Sequence, residues 1–400
     1  MHVLLLPSWY PETPSSSDGQ FFRQQAHALQ QAGLKTGVVA PLFRSPRRWR
    51  EIIGGDCGFR RFDDDGLPTY TYGGVYFFPR LPYIDRERWV AAGMRLFGHY
   101  LADHGRPDIL HAHAVNHGGI LADRISRRYG IPYVITEHSS AYARGLIRPW
   151  QRKAMLQAAG RASARLAVSR EFCRLLEREY GGLDWQYLPN MLGGHFCRPL
   201  PLAEQAASDC FTFCSVAHLN RNKGFDILLP AFAAALRRQP CLRLEIGGDG
   251  AERGFLEKEV GRLGIGHAVR LSGALDADGV LALMRRSQAF VLASRTETFG
   301  VVWIEALSQG LPVIATRCGG AESIVTPENG LLVPTDDVQA LTGALLDLYG
   351  QRGRYRAAVL RADCLRQFGR SEVVGRLKAM YQNILAAGRD LPIANRPENL

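Results

Sequence analysis

The sequence predicts an α/β protein made of two doubly wound domains, each with a parallel sheet between layers of helices. Three observations lead to this prediction. Short apolar runs alternate with amphipathic stretches of helix length, the apolar runs fall into two series, and regular patterning fails between those series. Strands that are apolar throughout and separated by helices are typical of parallel sheets covered on both faces. A chain of 400 residues is also too long for one ordinary domain and suits two.

Strands and helices alternate along the whole chain. The stretch 21–33, for example, has apolar positions at three- and four-residue spacing and ends at Gly33, which is typical of an amphipathic helix. The predicted strands of the first series are residues 2–6, 36–40, 108–111, 132–136 and 165–168. Those of the second series are residues 211–217, 242–246, 269–272, 289–293, 312–315 and 331–333.

The break between the two domains is expected in the segment 195–209, which contains two prolines and small polar residues. The predicted domains are therefore residues 1–200 and 201–371. A last helix-like stretch, roughly 372–388, has no strand after it and belongs to a C-terminal segment, 372–400. Because ligands of doubly wound domains bind beyond the carboxyl ends of the strands, we expect the site in the crevice between the two domains.

Composition excludes several classes of protein. Hydrophobic residues make up 46% and charged residues 22% of the chain, close to the globular average, which rules out a disordered, collagen-like or coiled-coil chain. No run of about eighteen apolar residues occurs, so no membrane span is expected. The first residues lack a basic stretch and Pro7 interrupts their apolar run, so no signal peptide is expected. Eight scattered cysteines without a CxxC pair indicate reduced thiols in a cytoplasmic protein.

Positive charge is concentrated in the first half of the chain. Residues 1–200 hold 26 Lys and Arg against 17 Asp and Glu, whereas residues 201–400 hold 23 against 21. This asymmetry indicates an anionic partner for the first half, either nucleic acid, anionic lipid or a phosphorylated substrate. Residues 43–61 are expected to form an irregular basic insertion, in which Trp49 and Phe59 are suited to the headgroup level of a membrane. Its arginines are Arg44, Arg47, Arg48, Arg50, Arg60 and Arg61.

This insertion predicts peripheral association of the first half with anionic membranes, because each arginine near an anionic leaflet contributes about 1 kcal/mol. A solvated basic loop in an arginine-rich protein is the alternative. Nucleic-acid binding is not expected, since it rests only on a calculated pI of about 9.4 and no recognisable motif accompanies it.

The segment 293–316 carries the most informative pattern. A predicted strand ends at residue 293, a polar loop follows, and a short helix begins near Val301. Glu297 lies in the loop and Glu305 in the helix, eight residues apart. Gly300 allows the backbone to approach a ligand at the helix N-terminus, where free N–H groups favour an anion. Two carboxylates around such a site suit sugar and ribose hydroxyls that flank a phosphate; a capped surface helix is the alternative.

This segment, ASRTETFGVVWIEALSQGLPVIAT, resembles the E-x7-E element of the retaining glycosyltransferases of family 4, which have the two-domain GT-B fold. The resemblance implies that Glu297 contacts the donor sugar and that Glu305 contacts the nucleotide ribose. It also implies that the flanking Phe299, Gly300 and Val301 belong to the donor-binding site.

Two further segments of the second half resemble the same family. SVAHLNRNKGFDILLPAF (215–232) is similar to the family's GRLxxxKGxxxLLxAF, which implies that Lys223 contacts the donor diphosphate. His218 replaces the family's usual arginine, and Arg221 in the same loop is expected to compensate. The turn that contains Gly248 is similar to the family's GxGP element and implies nucleotide contact; a tight turn alone is the alternative.

The segment 317–333 resembles the family's GG-x-x-E-x-V and NGLLV pair. Its acid, Glu322, sits one position early and is followed by Ser323, so neither residue is assigned a catalytic role.

In the first half, PDILHAHAVNHGG and PYVITEHSSAYA resemble the family's DxxHxH and TxH segments. Both follow predicted strands, so their histidines are expected to reach the crevice, and the resemblance places His138 beside the donor sugar. His111, His113 and His138 as a metal cluster are the alternative. Gly19, which precedes the first helix, corresponds to the family's glycine loop over the phosphate.

Two acidic strings are similar to the DxD motif that holds Mg²⁺ in metal-dependent transferases. Residues 63–65 are expected to be solvated acids of the basic insertion, and residues 276–278 to cap a helix. We therefore expect neither metal nor cofactor. Lys223 and helix N-termini would stabilise the leaving diphosphate instead.

Taken with the resemblance, the sequence predicts a cytoplasmic GT-B retaining glycosyltransferase. It would move a sugar from a nucleotide-diphosphate sugar, either a UDP-sugar or GDP-mannose, to a glycan or lipid-linked acceptor in cell-surface polysaccharide synthesis. The family implies that the C-terminal domain binds the donor, that the N-terminal domain binds the acceptor, and that the last helix packs back on the N-terminal domain. The acceptor would attack from the face that the diphosphate leaves, because no carboxylate is identified as a covalent nucleophile.

Two other functions fit the same architecture. A sugar-nucleotide epimerase would act without any acceptor. A non-catalytic two-domain sugar-binding protein would close on its ligand without chemistry, but such proteins are usually exported.

Overall fold

The computed structural model describes residues 1–11, 19–46, 57–78, 80–198 and 210–389. The chain forms two compact units. The first unit holds Met1–Val168, Cys173–Leu188 and the chain from Ser371 onward, and the second holds Ser169–Phe172 and Pro189–Arg370.

The first unit contains an eight-stranded sheet with the order β3-β4-β2-β1-β5-β6-β7-β8. All neighbours are parallel except β3 and β4, which form an antiparallel hairpin. The central strands β1, β5 and β6 are buried at every residue, as expected for a sheet covered on both faces. The strands are β1 His2–Pro7, β2 Lys35–Arg44, β3 Gly58–Asp64, β4 Leu67–Val75, β5 Ile109–His113, β6 Tyr133–Glu137, β7 Ala164–Ala167 and β8 Gln186–Tyr187.

The second unit contains a six-stranded parallel sheet with the order β11-β10-β9-β12-β13-β14. The strand order reverses between β9 and β12, and the carboxyl edge of a sheet at such a switch point is where doubly wound domains bind ligands. The strands are β9 Phe211–Val216, β10 Leu242–Gly247, β11 Val269–Gly273, β12 Ala289–Leu292, β13 Val313–Thr316 and β14 Gly330–Val333.

Helices connect most of the successive parallel strands, as is usual for parallel pairing, whereas only the 3-10 turn Ala321–Ser323 lies between β13 and β14. They are α1 Gln20–Gln31, α2 Pro82–His104, α3 Ile120–Tyr129, α4 Pro149–Arg161, α5 Arg170–Glu179, α6 Phe225–Arg238, α7 Arg253–Arg262, α8 Ala277–Arg285, α9 Val301–Ser308, α10 Val338–Gly350, α11 Ala357–Phe368 and α12 Arg370–Arg389. In the described ranges, none of these helices has both the length and the apolar character that a membrane crossing needs.

The predicted fold class is confirmed, and each of the eleven predicted strands corresponds to a strand of the structure. Strands β3, β4 and β8 are additional. The expectation of an irregular insertion over 43–61 is wrong at both ends, because β2 continues to Arg44 and β3 begins at Gly58. Arg44 is moreover 5% exposed, and Arg47, Arg48, Trp49 and Arg50 lie outside the described residues.

The first unit ends at Leu188 rather than at residue 200. The chain beyond it is fastened to α11 of the second unit: the Leu192 N–H donates to the Phe368 carbonyl at 2.8 Å, and Arg361 donates to the Cys197 carbonyl at 2.9 Å. These bonds pull the segment before the predicted break into the second unit. The last helix, α12, belongs to the first unit from Ser371 onward.

Candidate active site

Four loops at the carboxyl edge of the second sheet are joined by backbone hydrogen bonds. The loop after β9 meets the loop after β10 where the Leu219 N–H donates to the Asp249 carbonyl at 2.9 Å. The loop after β12 meets the loop after β13 where the Glu297 N–H donates to the Cys318 carbonyl, also at 2.9 Å. The motifs of residues 215–232, 246–264 and 293–316 therefore share one edge of one sheet, at its switch point.

Lys223 and Glu297 lie in direct contact. The Lys223 Nζ donates to the Glu297 Oε1 at 2.5 Å, and the two side chains are 23% and 17% exposed. Both residues were predicted from the sequence, and the structure brings them together from loops 74 residues apart. Because the pair is partly open to solvent, both charges remain accessible to a polar ligand.

Gly224 explains how Lys223 reaches this position. Its φ of 67° is left-handed, and a Cβ at this residue would overlap the carbonyl oxygen of Ala293. Only glycine therefore allows the turn after β9 to pass directly beneath the end of β12. That close passage places Lys223 beside the loop that carries Glu297.

Glu305, on α9, has a carboxyl group without a hydrogen bond or ion pair to any residue of the described ranges. Burial raises the pKa of this carboxyl to about 7, because desolvation disfavours the charged form. A carboxyl that is neither paired nor bonded retains its full capacity to accept hydrogen bonds from a ligand.

The residues before Glu305 serve the packing of α9. Gly300 has a φ of 93°, and a Cβ there would overlap the ring of Trp303. The Phe299 side chain is 2% exposed and packs edge-on against Phe368 with a centroid distance of 6.0 Å. Since the Phe299 side chain is buried, the groups left at the carboxyl edge of the second sheet are the backbone of Phe299 and Gly300 and the half-buried Val301.

The other predicted donor-binding residues of this unit lie in the same loops. His218 and Arg221 are exposed, and no hydrogen bond joins either side chain to a described residue. Gly248 has a φ of 139°, and a Cβ there would overlap the Ala217 carbonyl. Gly248 is thus needed for the close approach of two loops, which fits the tight-turn alternative without excluding contact with a ligand.

The predicted histidines of the first unit form a buried row. The His111 Nδ1 lies 2.6 Å from the Tyr381 hydroxyl of α12, and its Nε2 lies 2.7 Å from the Thr136 hydroxyl. Burial lowers the pKa of His111 to about 3. Because both ring nitrogens are bonded and the side chain is 0% exposed, the expectation that His111 reaches the site is wrong. It also has no nitrogen left for a metal.

His113 and His138 are in contact, with 3.2 Å between the His113 Nδ1 and the His138 Nε2. Burial and the neighbouring histidines lower the pKa of His113 well below its ordinary value. The ring of Phe22 lies 5.1 Å from that of His138. Phe22 is on α1, whose N-cap is Gly19 with a left-handed φ of 76°. The predicted His138 therefore packs against the first turn of the helix that Gly19 caps.

Glu137, which the sequence patterns did not single out, organises the loops around His138. Its carboxylate accepts from the backbone N–H groups of Val115, His138 and Ser139 at 2.8 to 2.9 Å and from the Tyr142 hydroxyl at 3.3 Å. The side chain is 1% exposed, and burial raises its pKa. Glu137 therefore ties the loops after β5 and β6 together.

The two acidic strings have structural roles. Asp64 is 10% exposed and accepts from Arg23 through both oxygens at 2.5 and 2.6 Å, so the expectation of solvated acids is wrong for this residue. His27 and Asp65 bring further potential ligand atoms within 4.8 Å, but the guanidinium already supplies the positive charge there. Asp276 caps α8 as predicted, accepting from the Gly279 N–H at 2.8 Å.

Glu322 also acts on the backbone. Its carboxylate accepts from the Gly319 N–H at 2.9 Å and so shapes the loop after β13. This hydrogen bond gives Glu322 a structural role, and the sequence pattern predicted no catalytic role for it.

Two α/β units, each built on a mainly parallel sheet, are typical of the GT-B class of proteins. Comparison with solved structures agrees with this class. Sucrose-phosphate synthase from Thermosynechococcus elongatus superposes with a TM-score of 0.77 and 21% identity, covering 97% of this chain and 100% of that one. HepE from Anabaena in complex with UDP superposes with a TM-score of 0.72 and 18% identity, covering 96% and 100%.

Family models match both halves of the chain. Residues 203–362 match the model "Glycosyl transferases group 1", and residues 19–190 match the model "Glycosyltransferase Family 4". The chain belongs to the GT-B glycosyltransferases of family 4 and is a glycosyltransferase.

Two curated relatives illustrate the family. A phosphatidyl-myo-inositol mannosyltransferase from Mycobacterium leprae is 28% identical over 351 residues, which covers 83% of this chain and 88% of the relative. A putative teichuronic acid biosynthesis glycosyltransferase from Bacillus subtilis is 27% identical over 378 residues, which covers 86% and 88%.

Proposed function

We propose that this enzyme transfers a sugar with retention of anomeric configuration from a nucleotide-diphosphate sugar to a glycan or lipid-linked acceptor. The observation that carries the proposal is the contact of Lys223 with Glu297, whose loop leads into α9, the helix on which Glu305 lies. One cation for a diphosphate and two carboxylates for sugar hydroxyls are the groups that recognition of such a donor requires.

Lys223 would bind the diphosphate and stabilise it as it leaves. An ammonium group makes charge-assisted hydrogen bonds of about 1.5–3 kcal/mol, and a phosphate oxygen can replace Glu297 as its acceptor. His218 and Arg221 are exposed in the same loop and would add positive charge. The second unit would therefore bind the donor without a metal, since these cations and the N-terminus of α9 stabilise the leaving group.

Glu305 would accept hydrogen bonds from the ribose hydroxyls, and Glu297 would face the donor sugar. Glu322, which lies in the neighbouring loop, is engaged with the Gly319 N–H. The proposal therefore has no covalent nucleophile, and the acceptor hydroxyl attacks from the face that the diphosphate leaves. The first unit, which carries His138 and Gly19, would bind the acceptor.

The relatives suggest the chemical class of the donor and of the acceptor. The curated relatives are named for transfer to phosphatidyl-myo-inositol and for teichuronic acid synthesis, and HepE is described with UDP and with UDP-glucose. We therefore include UDP-sugars and GDP-mannose as donors and cell-surface polysaccharide or glycolipid as products.

A panel of nucleotide sugars tests the donor. Each candidate is added to the protein and the unfolding temperature is measured, because a ligand that binds the native state raises it. A UDP-sugar or GDP-mannose should raise it, and the corresponding nucleoside monophosphate, which lacks the diphosphate, should raise it less. An absence of any shift across the panel contradicts the proposal.

The product tests mechanism and metal dependence. Nuclear magnetic resonance of the transferred sugar should show the anomeric configuration of the donor. Turnover should be equal with EDTA and with added Mg²⁺ or Mn²⁺. An inverted product, or activity that EDTA abolishes and a divalent cation restores, overturns these parts of the proposal.

Peripheral membrane association is a separate part of the proposal. It rests on the surplus of positive charge in residues 1–200 and on the exposed Phe59 beside Arg60 and Arg61 in β3. Arg44 no longer supports it, because that residue is buried. Co-sedimentation with anionic vesicles should exceed that with neutral vesicles and fall with salt. Equal recovery of the protein with anionic and with neutral vesicles contradicts the proposed membrane association.

A further inference from the structure

Arg295, in the loop after β12, makes an unusual set of contacts. Its guanidinium donates to both oxygens of Asp226 at 2.9 and 3.0 Å, to Asp336 at 2.7 Å and to the carbonyl oxygen of Arg221. The Arg295 side chain is 24% exposed and that of Asp226 is 20% exposed. One side chain thus fastens three other segments of the second unit to the loop that carries Glu297.

The backbone around Arg295 strengthens the same junction. The Arg295 N–H donates to the Asn222 carbonyl at 2.7 Å, and the Asn222 side-chain amide donates to the Thr296 carbonyl at 2.9 Å. The next residue of each loop is Lys223 or Glu297. Hydrogen bonds therefore join the two loops immediately before Lys223 and Glu297, the pair proposed to contact the donor.

The segments that Arg295 holds are themselves constrained. Asp226 lies in the first turn of α6, so its position follows that of the helix. Asp336 has a left-handed φ of 58°, which is uncommon for a residue other than glycine. Its neighbour Asp337 caps α10, accepting from the Ala340 N–H at 2.8 Å. Arg295 is therefore anchored to two helices at their N-terminal ends, and it cannot move independently of them.

We propose that Arg295 is a positioning residue that keeps Lys223 in register with Glu297 when the donor is bound. This inference rests on the proposed function. In the ligand-free protein, the ion pair of Lys223 and Glu297 itself joins the loops. When Lys223 turns to a diphosphate, that link is lost, and Arg295 becomes the principal side chain holding the loops together.

The substitution Arg295→Ala tests the proposal, with Arg286→Ala as the matched control. Arg286 makes a similar two-bond contact with Glu245 at 2.6 and 3.2 Å in the same unit, but among the described residues its guanidinium has no hydrogen bond to the loops that carry Lys223 and Glu297. Both variants lose an arginine–carboxylate pair, so a comparable loss of stability is expected. Only Arg295→Ala should lower kcat/KM, by about 100-fold, because a displacement of about 1 Å in a reacting group has that effect.

Conservative variants keep the test informative if Arg295→Ala folds poorly. Arg295→Lys keeps the charge but cannot bond both oxygens of Asp226, so its kcat/KM should lie between those of the wild type and of Arg295→Ala. Asp226→Asn should act in the same direction. For these variants kcat should fall more than KM rises, because the fault lies in the alignment of groups and not in uniform binding of the donor.

Hydrogen exchange gives a readout that does not depend on the donor. In Arg295→Ala, the amides of residues 220–226 and 294–299 should exchange faster by about tenfold or more, since a local opening that becomes easier by about 1.4 kcal/mol has that effect. The amides of β10 should be unaffected. Arg286→Ala should show the reverse pattern.

The outcomes separate this inference from the proposed function. If the wild type turns over no nucleotide sugar, the proposed function fails. Faster hydrogen exchange in the two loops of Arg295→Ala would still show that Arg295 holds these loops together. If Arg295→Ala matches Arg286→Ala in kcat/KM, or if loop exchange is unchanged, the positioning role is overturned.

Discussion

Two glutamates, one in each unit, show how the two sheet edges differ. Glu137 in the first unit is 1% exposed and accepts four hydrogen bonds from its own loops. Glu305 in the second unit has a carboxyl that bonds with no residue of the described ranges. Burial raises the pKa of both carboxyls. The Glu137 carboxyl already accepts hydrogen bonds from the protein, so its role is structural. The Glu305 carboxyl accepts none from the described residues, so it is available to a ligand.

The same contrast extends to the neighbouring groups. In the first unit, His111 uses both ring nitrogens in hydrogen bonds, and burial lowers its pKa to about 3, so it stays neutral. In the second unit, the Lys223–Glu297 pair is partly exposed, and His218 and Arg221 face solvent. A buried, fully bonded network fixes a shape, whereas open charges bind a charged substrate. This contrast supports the proposed binding of the donor at the edge of the second sheet.

Glu297→Gln should have the largest effect on activity. Turnover should fall by about 100-fold or more, because the proposed contact of this carboxylate with the reacting sugar strengthens in the transition state. The affinity for the nucleotide sugar should change little. Steady-state kinetics and a binding titration measure the two quantities. Glu322→Gln is the control, and a Glu297→Gln enzyme within threefold of that control would refute the assignment.

Glu137→Gln should mainly lower stability. The amide NH₂ of glutamine must face backbone N–H donors that now bond to a carboxylate oxygen, which leaves buried groups unpaired. The expected loss in free energy of unfolding is about 2–3 kcal/mol, measured by denaturant titration. Glu305→Gln has no bond to lose and should not be destabilised. Equal losses in the two variants would remove the distinction between a carboxyl that accepts hydrogen bonds from the protein and one that accepts none from the described residues.

Glu305 should also make donor binding depend on pH. Its pKa of about 7 in the ligand-free protein means that it is largely protonated at pH 6 and ionised at pH 8. Ribose hydroxyls donate to the ionised form, so affinity should be about tenfold weaker at pH 6 than at pH 8. A nucleotide sugar is used because its esterified diphosphate does not titrate in this range. Persistence of the same pH dependence in Glu305→Gln would assign it to another group.

Glu305 should also make the stability of the ligand-free protein depend on pH. Its pKa is raised on folding, so its contribution is fully present below the ordinary carboxyl range and is lost as pH rises through about 7. Glu305→Gln should therefore equal the wild type in acid and be more stable than the wild type above pH 7. Unfolding temperatures measured across pH 4.5 to 8 check this, and a variant less stable at pH 8 would contradict it.

The buried strands could be predicted from the sequence because their apolar runs are local signals. Strand β3 escaped prediction because five of its seven residues are exposed and it pairs only with β4, so no apolar run marks it. Strand β8 is two residues long. An edge strand takes its conformation from a neighbour, and short windows of sequence do not contain that neighbour.

The candidate site was predictable to the extent that its residues lie in short motifs. Lys223 and Glu297 each follow a strand, and the parallel sheet brings the ends of those strands together. Arg295 and Glu137 were missed although each lies within two residues of a predicted site residue. The partner of Arg295, Asp226, is 69 residues away, and Val115 is 22 residues from Glu137, so their roles depend on tertiary contacts.

The number of protons released on donor binding tests the central claim that Glu305 receives the ribose. Calorimetric titration of a nucleotide sugar at pH 6.5, in two buffers with different ionisation heats, measures it directly. With a pKa of about 7, the wild type should release about three-quarters of a proton, and Glu305→Gln should release correspondingly less. Equal proton release by the two proteins, with binding intact, would contradict the assignment of Glu305 to the donor.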